Sequence, residues 1–347
     1  MPMPMPMPMP FMEEGADREV YGPCQRAFLQ SLLSRQSITY EEAKPIIAAI
    51  QTAATPERET LENDVTQEDF ETYIQAVGDA ISPFDFEIRS SIHQTTRERT
   101  YALVNTTSDA LTQIATTHTP DEIAFVKRVL DVMFDENNTP EAEIMAVKSN
   151  RALKCHKPPR ESTSNTQQPQ SANSGLTMSQ AERLLQSLVA EGWFVFNDET
   201  SYYTLSQRAL MELRTWLVDA YNEPEEDGEE EVHQKIKFCA ACKDIVTVGQ
   251  RCPELRCNAR LHNHCMRNYF RAQNGREQCA VCQTAWVEAT YVGEKAAAGD
   301  AGAGRRRGGN AGRASAGASS RSESAAPVAD GHEAESEEGD DGEEMYE

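Results

Sequence analysis

The sequence predicts an α+β chain with two small helix-and-hairpin domains, a compact module built around two metal sites, and termini without fixed structure. Three observations lead there. Between Cys239 and Cys282, eight Cys or His donors follow the spacing C-x2-C-x9-C-x4-C-x4-H-x2-C-x13-C-x2-C. Before that stretch, apolar residues twice change from helical spacing to alternation and back. At both ends the composition lacks the apolar groups that offset ordering entropy.

The chain has 347 residues, room for two or three domains. Its formal net charge of −23 is unevenly spread. Seven acids fall in 223–231 and nine in 333–347, so most of the acidity belongs to solvated runs. The Cys-rich stretch is the reverse, with nine Lys or Arg against four acids over 232–292. Seven of the nine cysteines lie in the donor pattern. No apolar run of 18 residues and no signal peptide is evident, so no membrane partner is expected. Cysteines used this way favour reduced thiolates and metal over disulfides, in a cytosolic or nuclear compartment.

Residues 1–18 open with a Met-Pro alternation in which every second residue lacks an N–H, so disorder is expected. A first domain is read over 19–155. Cys24, Phe28, Leu29, Leu32 and Leu33 share a helical face, with Cys24 as a small buried hydrophobe. Thr39 and Glu42 form a capping box for a second helix through Ile46, Ile47 and Ile50. Pro45 predicts that this helix starts later or kinks. Thr66 opens a third helix carrying Phe70, Ile74, Val77 and Ile81. Phe86, Ile88 and Ile92, then Tyr101 and Leu103, alternate on either side of the polar turn Thr95–Thr100, which predicts a hairpin. Three helices followed by a hairpin is the order of a winged helix. Thr119-Pro120-Asp121-Glu122 starts another helix, continued by Ile123, Val126, Val129, Leu130 and Met133. Thr139-Pro140 repeats the signal and predicts one more.

Lys148, Arg151, Lys154, Lys157 and Arg160 form a cationic stretch, either a phosphate contact or a solvated linker. Residues 156–176 read as a flexible linker. Cys155 and His156 are adjacent, which is poor spacing for a shared metal. A second domain spans 177–222. Ser179 and Glu182 suggest a capping box, and Ala181, Leu184, Leu185, Leu188 and Val189 form a stripe that ends at Gly192. Trp193–Phe196 and Tyr202–Leu205 flank a short polar tip, a second hairpin. Ser206 caps a helix through Leu210, Leu213, Trp216, Leu217 and Tyr221, and both tryptophans belong in the core. The helix 179–191 carries Arg183 as its one cation, beside Glu182 and Glu191. That is a poor face for phosphates, so these domains are expected to bind protein. An acidic linker follows over 223–234. A disordered Ala/Gly/acidic tail occupies 293–347, where Arg305-Arg306-Arg307 is either a nuclear-import or nucleic-acid contact or a solvated cluster.

The remaining module, 235–292, offers Cys239, Cys242, Cys252, Cys257, His262, Cys265, Cys279 and Cys282, enough for two tetrahedral Zn²⁺ ions. Spacing alone leaves two arrangements open. Either the first four and last four donors each share an ion, or pairs one and three share one while pairs two and four share the other. His264 rivals His262, with H-x-x-C favouring His262.

This pattern resembles the RING family, in its variant with His fifth and Cys sixth among the ligands, which is interleaved. PHD fingers, which read histone tails, share the ligand order. The helix-like stretch Cys265–Arg271, and Glu277 where a PHD finger would more often carry Trp, favour the RING. More broadly, residues 20–290 resemble the variant-RING subunits of the structural-maintenance-of-chromosomes five/six complex, the non-SMC element one family. The resemblance rests on Phe28–Leu33, Tyr101–Asn105, the helix and hairpin of 179–205, Tyr269-Phe270 and Trp286. It implies tandem winged-helix domains, then a small two-zinc cross-brace RING-like module, with disordered termini. One zinc would sit on Cys239, Cys242, His262 and Cys265, the other on Cys252, Cys257, Cys279 and Cys282.

The implied partners are a melanoma-antigen-type winged-helix protein, a kleisin subunit, a ubiquitin-conjugating enzyme, and DNA indirectly through the complex. The implied setting is DNA repair and recombination in the nucleus. The implied activity is that of a RING-type E3 ubiquitin transferase, which has no catalytic nucleophile and forms no covalent intermediate. Active RINGs usually place Ile or Val before the second ligand, Pro after the seventh and Arg soon after the eighth. Here Ala241, Ala280 and Gln283 stand there, so activity is expected to be weak alone and to depend on a partner. Ile245, Val246, Val281 and Trp286 are the candidate contacts for the conjugating enzyme, with packing around the metals as their other reading. The alternative function is a non-catalytic zinc-finger and winged-helix adaptor or chromatin reader.

Overall fold

The structure, a computed structural model, describes residues 21–107, 114, 117–158, 175–222, 234–287 and 289–297. The Met-Pro run, most of the 156–176 linker, the acidic run to 233 and the tail from 298 lie outside the described residues. The architecture is mixed α+β in the N-terminal region, with a Cys-rich module at the C-terminal side. No described helix is long and apolar enough to cross a membrane.

The first packing unit runs α1 (Pro23–Arg35), β1 (Ser37–Thr39), α2 (Tyr40–Ala54), α3 (Gln67–Ile81), β2 (Phe86–Ile92) and β3 (Arg99–Asn105). Reciprocal capping boxes open α2 and α3. Glu42 Oε2 accepts from the Thr39 N–H at 2.8 Å while Thr39 Oγ1 accepts from the Glu42 N–H, and Thr66 pairs with Asp69 in the same way. Helix α2 passes through Pro45 and starts at Tyr40, not later. The box fixes the first turn by itself, and Pro45 costs one hydrogen bond, to the carbonyl of exposed Glu41. Phe28, Phe70, Tyr73 and Tyr101 meet in the core, with Phe70 and Tyr101 edge-on at 4.9 Å between centroids. Cys24 packs at the margin of this core, half-buried.

The sheet order is β1-β3-β2, with Ile88 opposite Leu103 and Ser90 opposite Tyr101. Strand β3 is apolar on both faces. Tyr101 enters the first core, while Ala102 and Val104 pack on Met211 of the second unit. Alternation marked only the Tyr101 face.

The second unit comprises α4 (Pro120–Asp131), β4 (Val147–Lys148), α5 (Ser149–Lys154), α6 (Met178–Ala190), β5 (Phe194–Asn197), β6 (Tyr202–Leu205), α7 (Gln207–Glu212) and α8 (Arg214–Tyr221). Strand β4 pairs with β6, Val147 opposite Tyr203, so the sheet is β4-β6-β5. Phe125, Phe134 and Val147 share one core with Leu185, Leu188, Trp193 and Leu217. Residues from Ile114 to Cys155, read from sequence with the first domain, therefore pack with the second. The two-residue strand β4 was too short to signal its allegiance by period. Helix α6 is capped by Thr177 with Gln180, two residues before the Ser179–Glu182 pair. Ser206 caps α7, and Leu213 interrupts the run into α8 at ψ 1°.

No helix follows Thr139-Pro140. Thr139 Oγ1 accepts from the Ala142 N–H at 3.1 Å, and Asn138 bridges to Glu143. The turn delivers the Glu143 carboxylate, 1 % exposed, into the Cys-rich module. There Lys237 Nζ lies 2.6 Å from Oε1, Arg260 grips both oxygens, and Arg251 Nη1 stands 3.7 Å away. All three cations are buried. Burial pushes the Glu143 carboxyl up, but hydrogen bonds and charge from Arg260 and Lys237 outweigh it and hold it down at about 2.

The module forms a third sheet, β8-β7-β9, from β7 (Gly249–Arg251), β8 (Arg260–Leu261) and β9 (Thr290–Val292). Its apolar residues are continuous with the second core. Arg251 Nη1 donates to Pro140 O at 2.6 Å, Asn138 Nδ2 to Lys235 O at 2.8 Å, and Gly293 N to Glu143 O at 2.8 Å. Gly293 has φ +88°, and a Cβ there would lie 2.4 Å from Thr247 O, so this crossing requires glycine. Glu294 then accepts from Asn197 and Thr200 at the tip of the second hairpin.

Replacing Glu143 by Ala leaves three buried cations without their anion. The expected cost is about 3–5 kcal/mol, measured by chemical denaturation of the full chain. Because the folded carboxyl sits below its ordinary 4.5, the contribution is complete above that value and fades as pH falls toward about 2. Glu143→Ala should therefore weaken the protein at neutral pH, and its deficit should shrink in strong acid.

Candidate metal centres

The eight donors gather into two tetrads. Cys239, Cys242, His262 and Cys265 form one, and Cys252, Cys257, Cys279 and Cys282 the other, with ligand atoms within 4.8 Å of one another in each. The first and third pairs thus share a site, as do the second and fourth. This is the interleaved arrangement of the two that spacing left open.

Two loops of one design hold the terminal pairs. The Lys243 N–H donates to Cys239 O at 3.0 Å and the Gln283 N–H to Cys279 O at 2.9 Å. Cys239 N donates to Asp244 O, and Cys279 N to Thr284 O. Phe238 bridges Ile245 as Gln278 bridges Ala285. Lys243 and Gln283, each directly after the second Cys of its pair, are left-handed at φ 66° and 61°. That bend folds each loop back so both sulfurs face one point. Position in the motif was the available signal for these two residues.

His262 stands at the N-cap of α9 (Asn263–Ala272), which also carries Cys265. Its Nδ1 lies 3.2 Å from Cys242 Sγ, and its Nε2 lies 3.1 Å from Ile245 O. A carbonyl only accepts, so Nε2 carries the proton and Nδ1 turns its lone pair to the thiols. His264 stacks on His262 with centroids 5.0 Å apart and does not join the tetrad. In the second site, Cys252 Sγ and Cys282 Sγ are 3.4 Å apart, and Cys257 Sγ and Cys279 Sγ 3.7 Å.

Burial pushes the Cys252, Cys257 and Cys265 thiols up, Cys257 to about 11, and neighbouring thiols add to the effect. Burial acts likewise at Cys239 and Cys282. There it is outweighed by hydrogen bonds, chiefly involving His262 and Thr284 respectively, so both fall to about 6. Crowded, partly ionised sulfurs call for a soft dication, and S₃N and S₄ tetrads fit Zn²⁺ in closed structural sites. Both tetrads are positioned like zinc sites.

The residues read as conjugating-enzyme contacts divide. Ile245, Val246 and Trp286 are buried, at 3 %, 1 % and 4 % exposure, while Val281 is 69 % exposed. Trp286 packs edge-on to Phe270 and donates from Nε1 to Gln250 Oε1 at 3.3 Å. A module this small uses its few large apolar groups as core. Ala241, Ala280 and Gln283 are exposed at the loop tips with Val281.

In the cationic stretch, Arg151 pairs with Glu136 and Lys148 lies over the Tyr202 ring. Cys155 is buried, its carbonyl accepting from Arg128 Nε at 2.8 Å. Sequence reasoning missed Glu143, Arg251, Arg260 and Gln94. In a basic module, charged residues read as solvated, and nothing local marks a carboxylate that will be buried about a hundred residues away in sequence.

Comparison with known proteins follows the same division. Residues 25–213 match the family model described as Nse1 non-SMC component of SMC5-6 complex, and residues 239–282 match one described as RING-like domain. The human non-structural maintenance of chromosomes element 1 homolog is 20% identical over 225 residues, covering 65% of this chain and 72% of its own. Element 1 of Schizosaccharomyces pombe is 24% identical over 224 residues, covering 64% of this chain and 79% of its own. A chain of a solved Nse1-Nse3-Nse4 complex superposes with TM-score 0.57 at 18% identity, covering 77% of this chain and 98% of that one.

Elemental analysis of the purified chain should find two zinc ions. Cys279→Ser removes one ligand of one site. Because the sites interleave, metal content should fall by more than one ion, with increased protease sensitivity across 235–292. A loss confined to one ion with the other site unaltered would separate the two sites.

Proposed function

The chain belongs to the family of Nse1 non-SMC components of the SMC5-6 complex, and we propose that it serves that complex foremost as a docking subunit whose RING-like module carries ubiquitin-ligase function only on assembly. The N-terminal units, each with a helix-flanked hairpin, are read as tandem winged helices that bind a melanoma-antigen-type partner and the kleisin. The name of the related Nse1-Nse3-Nse4 complex supports that pairing. Such assemblies act on DNA in the nucleus, in repair and recombination, and this chain reaches DNA through its partners.

The observation that carries this reading is the buried Glu143 cluster. It makes the RING-like module part of the body that would bind the partners. The module is therefore not a free recruiting head on a tether. In the ligase role it would hold a ubiquitin-charged conjugating enzyme so that a substrate lysine attacks the thioester. No side chain of this chain enters that bond change. Two structural zincs, one on each tetrad, would set the loops that present Ala241, Ala280, Val281 and Gln283.

A specific observation also favours the non-catalytic adaptor reading. With Ile245, Val246 and Trp286 buried, Val281 is the one predicted contact left on the surface. A single valine is a small apolar anchor for a conjugating enzyme. The two readings differ in one assay.

Discharge of ubiquitin from a panel of charged conjugating enzymes should be near background with this chain alone. It should rise by about tenfold, a coupling of about 1.4 kcal/mol, when the winged-helix partner and kleisin are added. Val281→Asp should abolish the gain without disturbing co-purification. Equal activity with and without partner would contradict assembly dependence, and no activity under either condition would establish the adaptor. A salt-titrated gel shift of the chain alone should show weak binding that vanishes at physiological salt. Tight binding there would contradict a mainly protein-docking role.

A further inference from the structure

The tip of the first hairpin reaches the His-containing tetrad through one side chain. Gln94, 6 % exposed, follows β2 in a turn closed by its own bonds, His93 N to Glu98 O at 2.8 Å and Arg97 N to His93 O at 3.0 Å. Its amide meets the loop that leaves Cys242 with both its nitrogen and its oxygen. Nε2 donates to Ile245 O at 3.0 Å. Oε1 accepts from Thr247 N at 3.0 Å and Val248 N at 2.8 Å. Only the amide orientation with Nε2 toward the carbonyl satisfies all three. Ile245 O is also the acceptor for His262 Nε2. One carbonyl oxygen therefore receives Gln94 and the metal-facing histidine together.

We propose that Gln94 is a positioning residue for the His-containing metal site. By fixing the Ile245 carbonyl it fixes the ring plane and the Nε2–H tautomer of His262, which leaves Nδ1 free to bind the ion. Partners that orient a ligating histidine through its distal nitrogen change metal retention by about 10–100-fold when removed. Here that partner is a backbone carbonyl, and its placement depends on a residue about 150 positions earlier in the chain. The same hairpin adds Ser91, whose Oγ lies 3.2 Å from Asp244 Oδ2, and Gln207 Nε2 donates to Ser91 Oγ at 2.7 Å. The Cys242–Val248 loop is thus held by the first unit through Gln94 and Ser91, and by the second through Gln207 on Ser91 and directly through Arg214, whose Nη2 donates to Lys243 O at 2.9 Å. The Cys₄ site has no such tie to the hairpin among the described residues. A displacement of the hairpin tip would loosen the His-containing site first.

This inference rests on the tetrads holding metal, and cadmium tests both statements in one preparation. The full chain loaded with ¹¹³Cd²⁺ should give two NMR resonances, since S₃N and S₄ coordination differ in chemical shift. Gln94→Ala should shift or broaden the S₃N resonance and leave the S₄ resonance in place. Under EDTA challenge, the S₃N signal should decay about tenfold faster than in the unsubstituted chain, ahead of S₄. Gln94→Glu keeps the acceptor for Thr247 and Val248 but removes the donor to Ile245. It should reproduce the S₃N effect, and in both variants an S₄ resonance left in place separates positioning from simple loss of fold. Equal acceleration of both signals, or an unchanged S₃N decay in both variants, would overturn the role of Gln94. Fewer than two resonances from the unsubstituted chain would overturn the two-metal reading, and the role with it.

Discussion

A single buried carboxylate organises the joint between the N-terminal region and the Cys-rich module. Glu143 is ionised among Lys237, Arg251 and Arg260, all but removed from solvent. Removing four charged groups from water is costly, and only close pairing offsets it. The cluster therefore has little freedom. The chain must turn between Asn138 and Glu143, β7 and β8 must present both arginines, and Lys237 must precede the first Cys pair. Arg260 also donates to Cys257 O and Ala259 O, which connects the joint to the second metal loop. Displacing Glu143 would leave more positive charge buried than the remaining polar groups can satisfy.

The module satisfies two demands with very few apolar residues. The interleaved tetrads bring together loops from both halves of the module. The repeated loop design, with Lys243 and Gln283 in the same left-handed bend, turns two sequence-distant CxxC pairs into equivalent clamps. Ile245, Val246 and Trp286 then fill the space between clamps and sheet. That use as packing explains why they are absent from the surface. What the loop tips expose, beside the Cys ligands, is Ala241, Lys243, Ala280, Val281 and Gln283, with Val281 the one apolar side chain larger than alanine. A docking function follows more directly from this surface than strong independent recruitment does.

Most of the secondary structure was legible because its signals are local. Thr39–Glu42 forms the box read for it, and Thr66 and Thr119 cap the helices they were read to open. The hairpin around Thr95–Thr100 is present, and the eight donors segregate as pairs. What was not legible is nonlocal. Thr139-Pro140 has the letters of a helix start, but a buried ion cluster claims Glu143 and the chain closes a tight turn instead. Strand β4 is two residues long, and only its pairing with Tyr202 and Tyr203 assigns the segment before Cys155 to the second core. Tyr101–Val104 is a continuous apolar run, and reading it by alternation singled out the Tyr101 face while Ala102 and Val104 await Met211 on the other. Gln94 carries no local signal, since its partners are 151 to 154 positions away.

The central claim is that the metal module and the N-terminal region are one mechanical body. Hydrogen exchange of the full chain, followed by mass spectrometry before and after chelator treatment, tests it directly. Loss of metal should raise exchange in 235–292 and, with it, in 138–148 around Glu143 and in 91–98 at the hairpin tip. Exchange that rises only within 235–292, with both N-terminal segments still protected, would contradict the account.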